Sequence, residues 1–435
     1  MNTFICENIS ENTAGHLTFA SRDVTELAKK YGTPLYLMDE DRIRYNCRVY
    51  TNAFRKYFPA GSQVLYASKA CAFKQMYRIV QSEGMAIDVV SCGELYTALK
   101  AGFDLKNAYF HSNNKTDEDI VFALDHGVGY FVVDNIEEIR VIEEECAKRD
   151  MRQKVLLRLT PGIDTHTYEA VNTGKVDSKF GTAIETGQAE EATVYTLSKE
   201  HIELVGFHCH VGSQVFAEDV FERSAVVMLE FIKYISDKYG YMPSVLDLGG
   251  GYGVRYIDSD GTIDIDKKIA DVAQELDRTC SRLGIPIPMI LMEPGRSIVA
   301  DAGMTLYTVG TVKNIPEYKN YVSIDGGMSD NPRYALYGSL YTSFTANKMT
   351  EERTLEASLV GRCCESGDII QETAYFPESI TRGDIIAVCT TGAYNYSMAS
   401  NYNRIGRPPV VMLSGGNDYI TVKRETLDDM IALDI

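Results

Sequence analysis

Residues 245–253 read VLDLGGGYG, a short apolar run that ends in glycines. The apolar run is typical of a buried strand in a parallel sheet. Gly249 to Gly251 and Gly253 leave the backbone without side chains at the strand end, where successive amides can cradle an anion such as phosphate. Val254 occupies the last position of a GxGxxG motif counted from Gly249, so a dinucleotide site is poorly supported. A simple turn is the alternative for such a glycine run.

Similar apolar runs recur on both sides of this one and alternate with longer amphipathic stretches. Counted along the chain, eight candidate strands are VLYASK, AIDVVS, AYFHS, GYFVVD, KVLLRL, LVGFHCH, VLDLGG and MILMEP. Apolar residues share one helical face in two of the intervening segments, namely Ile136, Ile139, Ile142 and Cys146, and then Ala225, Leu229, Ile232 and Ile235. Eight βα units predict a closed (β/α)8 barrel of the TIM type, with its site at the carboxyl ends of the strands.

After residue 300 the helical period gives way to β-rich runs with Gly, Pro and Asp between them. These runs are MTLYTVGTV, YVSIDGG, LEASLVG, DIIQETAYF, DIIAVCTT, PVVML and YITV. Such spacing predicts a β-sandwich or small β-barrel, and the N-terminal run PLYLMDE is expected to join it. We therefore expect an N-terminal segment at residues 1–40, a barrel at 41–300 and a C-terminal β-domain at 301–435.

Composition restricts the possible partners and the compartment. The 435 residues carry a net charge of −18 without a block of Lys and Arg, which argues against nucleic acid or an anionic membrane as partner. The ten cysteines show no CxxC spacing, so reduced thiols are expected. The N-terminus lacks a basic and apolar signal, and no window approaches 18 apolar residues. We expect a cytoplasmic protein.

Polar residues gather where the predicted barrel strands end. They are Lys69, Ser91, His111, Asp134, Arg158, His208, His210, the glycines 249–251 and Glu293. A partly desolvated lysine at a barrel mouth can form a Schiff base with a carbonyl compound, whereas a solvated strand-end lysine is the alternative. Glu293 could take part in the chemistry or form an ion pair with Arg296.

His208 and His210 lie on the same side of a predicted strand. A zinc site lacks an evident third ligand, so no metal is expected; a buried structural histidine and a ring that stacks on a flat ligand are the alternatives. Lysine, anion nest, flat histidine and carboxylate are together the contacts that pyridoxal phosphate requires.

Nine short motifs of this sequence resemble, in the same order, those of a known protein family. In chain order they read YASKA, DVVSCGEL, HSNNKT, TGKVDSKFG, GFHCHVGSQ, LDLGGGYG, EPGRS, CCESGD and GAYNYSMASNYN. Together they resemble the fold-type III pyridoxal-phosphate decarboxylases, most closely those that act on diaminopimelate. The resemblance implies an alanine-racemase-like barrel followed by a β-domain, with pyridoxal 5'-phosphate as the cofactor. It also implies conversion of meso-diaminopimelate to L-lysine and CO₂, the last step of lysine synthesis.

The resemblance assigns roles to single residues. Lys69 would bind the cofactor covalently, His210 would stack on its ring, and Glu293 would pair with the ring nitrogen. The implied cofactor-binding residues are Lys69, Asp88, His210, Ser213, Gly250, Gly251, Gly253, Glu293, Gly295, Arg296 and Tyr394. The implied substrate-binding residues are Arg296, Arg333, Tyr337, Glu365 and Tyr394.

In the stretch RCCESGD, Cys364 is the candidate proton donor, and Cys363 is most simply a buried strand residue. The resemblance implies that this segment reaches the site of a neighbouring subunit, and hence a homodimer with shared active sites. The chain departs from the family pattern at residues 166–171, HTYEAV, in a loop that covers the site in the family. Related enzymes acting on ornithine, carboxynorspermidine or D-lysine are therefore the first alternative, and a non-catalytic pyridoxal-phosphate binder is the second.

Overall fold

The computed structural model describes residues 4–163, 178–217 and 219–435. Contacts divide the chain into two compact units that interleave in sequence. One unit consists of Asn46–Gly253 and Thr262–Gly295, and the other of Met1–Tyr45, Val254–Gly261 and Arg296–Ile435. We call them the barrel unit and the β unit.

The barrel unit contains the eight parallel strands predicted from the sequence. They are Gln63–Ala67, Ala86–Val89, Ala108–Phe110, Tyr130–Val133, Gln153–Thr160, Ile202–His208, Val245–Asp247 and Met289–Met292. Each pairs with the next along the chain, and the eighth pairs with the first, so the barrel is closed. A short ninth strand, Thr182–Ala183, adds to the edge of Gln153–Thr160. The predicted TIM-type barrel is confirmed.

One buried residue from each barrel strand contributes to a single apolar cluster, which comprises Leu65, Ala86, Tyr109, Val132, Leu156, Val205, Val245 and Leu291. This layer fills the barrel interior, as side chains do in closed eight-stranded barrels. The chemistry is therefore confined to the strand ends, where polar residues replace apolar ones.

The helix Glu40–Tyr57 precedes the first barrel strand. The helices that connect successive barrel strands are Lys74–Ser82, Cys92–Ala101, Asp117–Asp125, Ile136–Lys148, Gln188–Leu197, Val220–Tyr239 and Ile265–Leu283. The two helical faces predicted from the sequence are buried, except that Ile136 at the start of its helix is only partly so. Among the described residues, no helix combines the length and apolar character that a membrane span requires.

The β unit is built on one branched nine-stranded sheet. Its strands are Leu35–Asp39, Gly303–Ile315, Lys319–Ile324, Ser343–Thr345, Leu355–Val360, Ile369–Phe376, Ile385–Cys389, Val410–Ser414 and Asn417–Val422. The N-terminal strand Leu35–Asp39 pairs with both Gly303–Ile315 and Val410–Ser414, which confirms that it joins this sheet. A small three-stranded sheet precedes it, formed by Ile9–Glu11, Leu17–Phe19 and Arg22–Asp23. The helices of this unit are Val24–Tyr31, Arg296–Val299, Arg333–Tyr337, Asn395–Met398 and Leu427–Ile431.

Candidate active site

Glu293 follows the eighth barrel strand and lies between two histidines. Its Oε1 is 2.8 Å from Nε2 of His111, and its Oε2 is 3.2 Å from Nε2 of His208. The two imidazole rings meet edge to face, with centroids 4.9 Å apart. All three side chains are buried, so the strand ends position one carboxylate between two ring nitrogens and away from water.

The electrostatics of this group concentrate negative charge on Glu293. Burial opposes ionisation of Glu293, but the adjacent imidazoles of His111 and His208 outweigh it and hold its pKa well below the usual range. Burial lowers the pKa of His208 to about 4, so at neutral pH its uncharged ring donates the Nε2 hydrogen to Glu293. Burial and the charge of Glu293 raise the pKa of Asp247 well above its ordinary value, so ionisation of this second carboxyl is disfavoured beside Glu293.

Asp88 lies on the second barrel strand, and its Oδ1 is 3.9 Å from Nε2 of His111. Burial raises the pKa of Asp88; the imidazole of His111 opposes this rise and the charge of Glu293 adds to it. The predicted Asp88 therefore belongs to the same buried group as Glu293.

His210 is oriented by the glycine run. The backbone N–H of Gly250 donates to Nδ1 of His210 over 3.3 Å, which leaves the hydrogen of the neutral ring on Nε2. Burial lowers the pKa of His210 well below its ordinary value. The ring is thus an uncharged flat surface held in one orientation.

The glycines of the run at residues 249–253 have no room for a side chain. A Cβ added to Gly250 would lie 2.1 Å from the carbonyl oxygen of Glu293, and one added to Gly251 would lie 2.1 Å from that of Gly212. At Gly253 it would meet the ring of Phe216 at 2.6 Å. Backbone segments therefore approach one another here at distances that glycine alone permits.

Ser213 is carried by the loop that pairs with the glycine run. In this loop the Val215 N–H donates to Gly251 over 2.9 Å, and the Gly253 N–H donates back to Val215 over 3.1 Å. The structure thus places the loop of Ser213 beside the glycine run. This proximity is required if Ser213 and the glycines are to bind the same phosphate group, as the sequence predicted.

Lys69 lies in a single 3₁₀ turn, Ser68–Ala70, directly after the first barrel strand. Ser68 and Ala70 are buried, whereas Lys69 is exposed. The sequence predicted partial desolvation of this lysine, and that was wrong, because the residue is exposed to solvent at the strand end. Gly295 packs against the same strand: its added Cβ would lie 2.9 Å from Cβ of Ala67.

The β unit holds a second group, in which two buried guanidiniums lie near one aromatic ring. The guanidinium carbon of Arg296 is 4.8 Å from the ring centroid of Tyr394, and that of Arg333 is 5.0 Å from it. Arg333 also lies 4.7 Å from the ring of Tyr337, and Arg296 donates to Oη of Tyr256 over 2.8 Å. Nε of Arg333 is buried without a hydrogen-bond partner among the described residues. Such a pair of cations is suited to bind carboxylates.

Tyr394 has a φ of 70° at the start of the helix Asn395–Met398. A bulky residue in the left-handed region is strained, and such strain is common at functional sites. The ring contacts described above bring the predicted residues Arg296, Arg333, Tyr337 and Tyr394 close together in the β unit.

The stretch RCCESGD forms the turn between the strands Leu355–Val360 and Ile369–Phe376. Cys363 is buried, as predicted, but it was wrongly expected in a strand, because the chain reverses direction between these two antiparallel strands. Cys364 and Glu365 are exposed, and the Cys364 N–H donates to Oδ1 of Asn403 over 2.8 Å. The HTYEAV departure at residues 166–171 lies outside the described residues.

The residues of the barrel unit suit pyridoxal phosphate. The ionised carboxylate of Glu293 matches a protonated ring nitrogen, the neutral His210 matches the face of a flat ring, and the glycine run matches a phosphate. His111, His208, Asp247 and Glu293 have ligand atoms within 4.8 Å of one another and are of types that bind metal ions. Oε2 of Glu293 is hydrogen-bonded to His208, whereas Oε1 of Glu293 and Nε2 of His111 lie 2.8 Å apart as an ion-pair contact.

Three members of this group were not assigned to the cofactor site from the sequence. His111 was predicted only as a polar residue at a strand end, and Asp247 had no role. His208 was considered together with His210 as a metal ligand, a buried structural histidine or a stacking ring. The signal for Asp247 was a single acid within the apolar run VLDL, immediately before the glycines. Their common target, Glu293, becomes visible only once the strands are arranged around the barrel.

Comparisons with known proteins agree with this geometry. The family model described as the pyridoxal binding domain of pyridoxal-dependent decarboxylases matches residues 41–300. Diaminopimelate decarboxylase of Bacillus subtilis (strain 168) is 44% identical over 427 residues, which cover 98% of this chain and 96% of that protein. Diaminopimelate decarboxylase of Staphylococcus aureus (strain COL) is 43% identical over 430 residues, with 98% and 99% covered.

A solved structure extends the likeness to three dimensions. The crystal structure of diaminopimelate decarboxylase from M. jannaschii in complex with L-lysine aligns with a TM-score of 0.92 and 32% identity. The alignment covers 100% of this chain and 99% of that one. The family model matches more than half of this chain, and the two bacterial relatives are 44% and 43% identical over 98% of it. The chain therefore belongs to the pyridoxal-dependent decarboxylase family.

Proposed function

We propose that this chain decarboxylates meso-2,6-diaminopimelate to L-lysine and CO₂ with pyridoxal 5'-phosphate, as the last step of lysine synthesis. The observation that carries the proposal is the buried, ionised Glu293 between His111 and His208. A carboxylate at this place would keep the pyridine nitrogen of the cofactor protonated. When bound, the cofactor supplies a ring that accepts the electron pair released as the bond from Cα to the carboxylate breaks.

In this proposal the barrel residues bind and orient the cofactor. Lys69 would bind it covalently, and His210, fixed by the Gly250 N–H, would stack on its ring. Ser213, the glycines 250, 251 and 253, and the segment Glu293 to Arg296 would hold the phosphate. Asp88, which lies beside His111 in the group of Glu293, would belong to the residues that bind the cofactor.

Substrate specificity is assigned to the β unit. Two guanidiniums, those of Arg296 and Arg333, lie near the ring of Tyr394 and can bind an anion. A substrate with a distal second carboxylate supplies that anion, whereas a monocarboxylic amino acid such as ornithine leaves a buried guanidinium without a counterion. We therefore favour diaminopimelate over ornithine or D-lysine. Glu365 would bind the distal ammonium group, and Tyr337 packs on Arg333.

We further infer a cytoplasmic homodimer in which Cys364 and Glu365 of one subunit complete the site of the other. The exposure of both side chains in the chain supports this arrangement. The compartment is supported by the net charge of −18 and by ten cysteines that are all free thiols. Cys364 would return the proton to Cα after CO₂ has left.

The test combines turnover with the site of cofactor attachment. Purified protein supplied with pyridoxal phosphate should release CO₂ from meso-diaminopimelate and form L-lysine. After borohydride reduction, the mass of the cofactor should be found on the peptide that contains Lys69. Lys69→Ala should abolish both results, whereas Lys74→Ala, at an exposed lysine nearby, should change neither. Turnover that survives Lys69→Ala, or attachment at another lysine, would contradict the proposal.

A further inference from the structure

The last residue of the RCCESGD stretch, Asp368, is a buried acid that the proposed function does not use. We propose that Asp368 is a positioning residue, which holds the turn bearing Cys364 and Glu365 to the segment that leads into Arg333. The proposal rests on the proposed function only for what Cys364 does in the reaction. The contacts themselves lie within the β unit.

Asp368 closes the turn through both its main chain and its side chain. Its carbonyl oxygen accepts the N–H of Gly361 at the start of the turn, over 3.0 Å. Its Oδ2 accepts the N–H of Cys363 over 2.6 Å. Cys363 is the residue directly before Cys364. The side chain is buried. One carboxylate oxygen is thus used to fix the backbone that carries the thiol.

The other oxygen reaches a different segment. Oδ1 of Asp368 accepts the N–H of Met328 over 2.6 Å, and the N–H of Arg362 donates to the carbonyl of Gly326 over 3.0 Å. A Cβ added to Gly361 would lie 2.3 Å from the carboxylate of Asp368, and one added to Gly327 would lie 2.6 Å from it. The two glycines therefore provide the space that the carboxylate occupies between the segments.

The segment at residues 326–330 is also fixed from its other end. Oδ2 of Asp330 accepts the N–H of Gly327 over 2.9 Å, and Oδ1 accepts the hydroxyl of Tyr307 over 2.5 Å. Asp330 precedes Arg333 by three residues, and the helix Arg333–Tyr337 follows at once. Asp368 and Asp330 together link the position of the proposed proton donor to that of a proposed substrate guanidinium.

No Lys or Arg of the described residues forms an ion pair with Asp368, so the backbone N–H groups are its principal partners. Burial raises the pKa of Asp368, and the N–H groups of Met328 and Cys363 oppose this rise. An Asn at this position keeps the size of the side chain but presents an NH₂ group to one of two N–H donors. Asp368→Asn should therefore release one of the two segments.

The experiment compares Asp368→Asn with Asp384→Asn in the cofactor-loaded, full-length enzyme. Asp384 is a matched control, because it is also buried in the β unit and accepts from the Thr381 N–H over 2.8 Å and from Lys348 Nζ over 2.7 Å. Asp368→Asn should lower kcat for diaminopimelate by about 10- to 100-fold, as expected for a misplaced reacting group. It should also speed alkylation of Cys364, followed on its peptide. Asp384→Asn should change neither.

A double variant separates positioning from general damage to the fold. If Asp368 acts through Cys364, adding Asp368→Asn to Cys364→Ala should lower kcat little further, because coupled residues are not additive. Independent, multiplicative losses, or equal losses in Asp384→Asn, would overturn the proposal. Should Asp368→Asn fail to fold, Gly327→Ala displaces the carboxylate without changing its charge and should give the same alkylation result.

The outcomes also distinguish this inference from the proposed function. A wild-type enzyme that does not turn over diaminopimelate contradicts the proposed function, yet the alkylation rate of Cys364 still tests the position of the turn. Normal turnover of diaminopimelate by wild type, with Cys364 alkylated at the same rate in Asp368→Asn, overturns the positioning role alone.

Discussion

Replacing Glu293 by Gln should slow decarboxylation about 100-fold and leave the fold intact. The amide keeps the shape of the side chain and an oxygen that can accept from Nε2 of His208, now 3.2 Å from Oε2. It removes the negative charge that, in the proposed function, would keep the ring nitrogen of the cofactor protonated. Loss of a buried charge-assisted contact of this kind costs about 3 kcal/mol in the transition state. At 1.36 kcal/mol per factor of ten, this is about 100-fold in kcat.

The assay measures CO₂ release at saturating diaminopimelate together with the visible absorbance of the bound cofactor. The spectrum should change in Glu293→Gln, because the protonation of the ring differs, while cofactor is still bound. Glu222→Gln is the control: Glu222 lies on a helix of the barrel unit, 3.5 Å from Lys268, and loses the same charge. A Glu293→Gln enzyme with the rate and spectrum of wild type would refute the role of this carboxylate.

The remaining predictions concern the thiols, the glycine run and one titrating acid. Cys364→Ala should slow or misdirect reprotonation far more than Cys363→Ala, measured as kcat and product configuration; equal effects would contradict the assignment. Gly250→Ala should weaken binding of pyridoxal phosphate, measured by titration, because its Cβ would meet the Glu293 carbonyl at 2.1 Å. Burial raises the pKa of Asp330 from 3.8 to about 7. Between these pH values the native state holds a proton that the unfolded state has released, so the free energy of unfolding falls as pH rises through this range. Asp330→Asn cannot ionise and should gain up to about 4 kcal/mol relative to wild type between pH 4 and 8 in urea unfolding; a relative loss would contradict this.

The barrel was predictable because each of its strands is buried on both faces and therefore reads as an apolar run. The strand Val245–Asp247 illustrates this, since only its last residue is polar. The small N-terminal sheet was not predicted, because its strands Ile9–Glu11, Leu17–Phe19 and Arg22–Asp23 are too short for a periodic pattern. Turns such as the one at Cys363 depend on where two strands stop pairing, which local composition does not determine.

Single residues could be predicted for the site where a motif contained them, as with Lys69 and Glu293. Their environment could not, because it depends on contacts between residues distant in sequence. His111 and His208 reach Glu293 from the third and sixth strands, and the raised pKa of Asp247 follows from burial and from the charge of Glu293. Likewise, Asp368 was read as one acid of a short motif, although its function depends on the N–H of Met328, 40 residues earlier.

The central claim is that this chain acts on a substrate with two carboxylates, and a substrate panel tests it most directly. CO₂ release should be measured from meso-diaminopimelate, ornithine, carboxynorspermidine and D-lysine at equal concentrations with the same cofactor-loaded enzyme. We predict rapid release from meso-diaminopimelate, with L-lysine as the product, and little from the other three. No turnover of diaminopimelate together with rapid turnover of ornithine or D-lysine would contradict the claim.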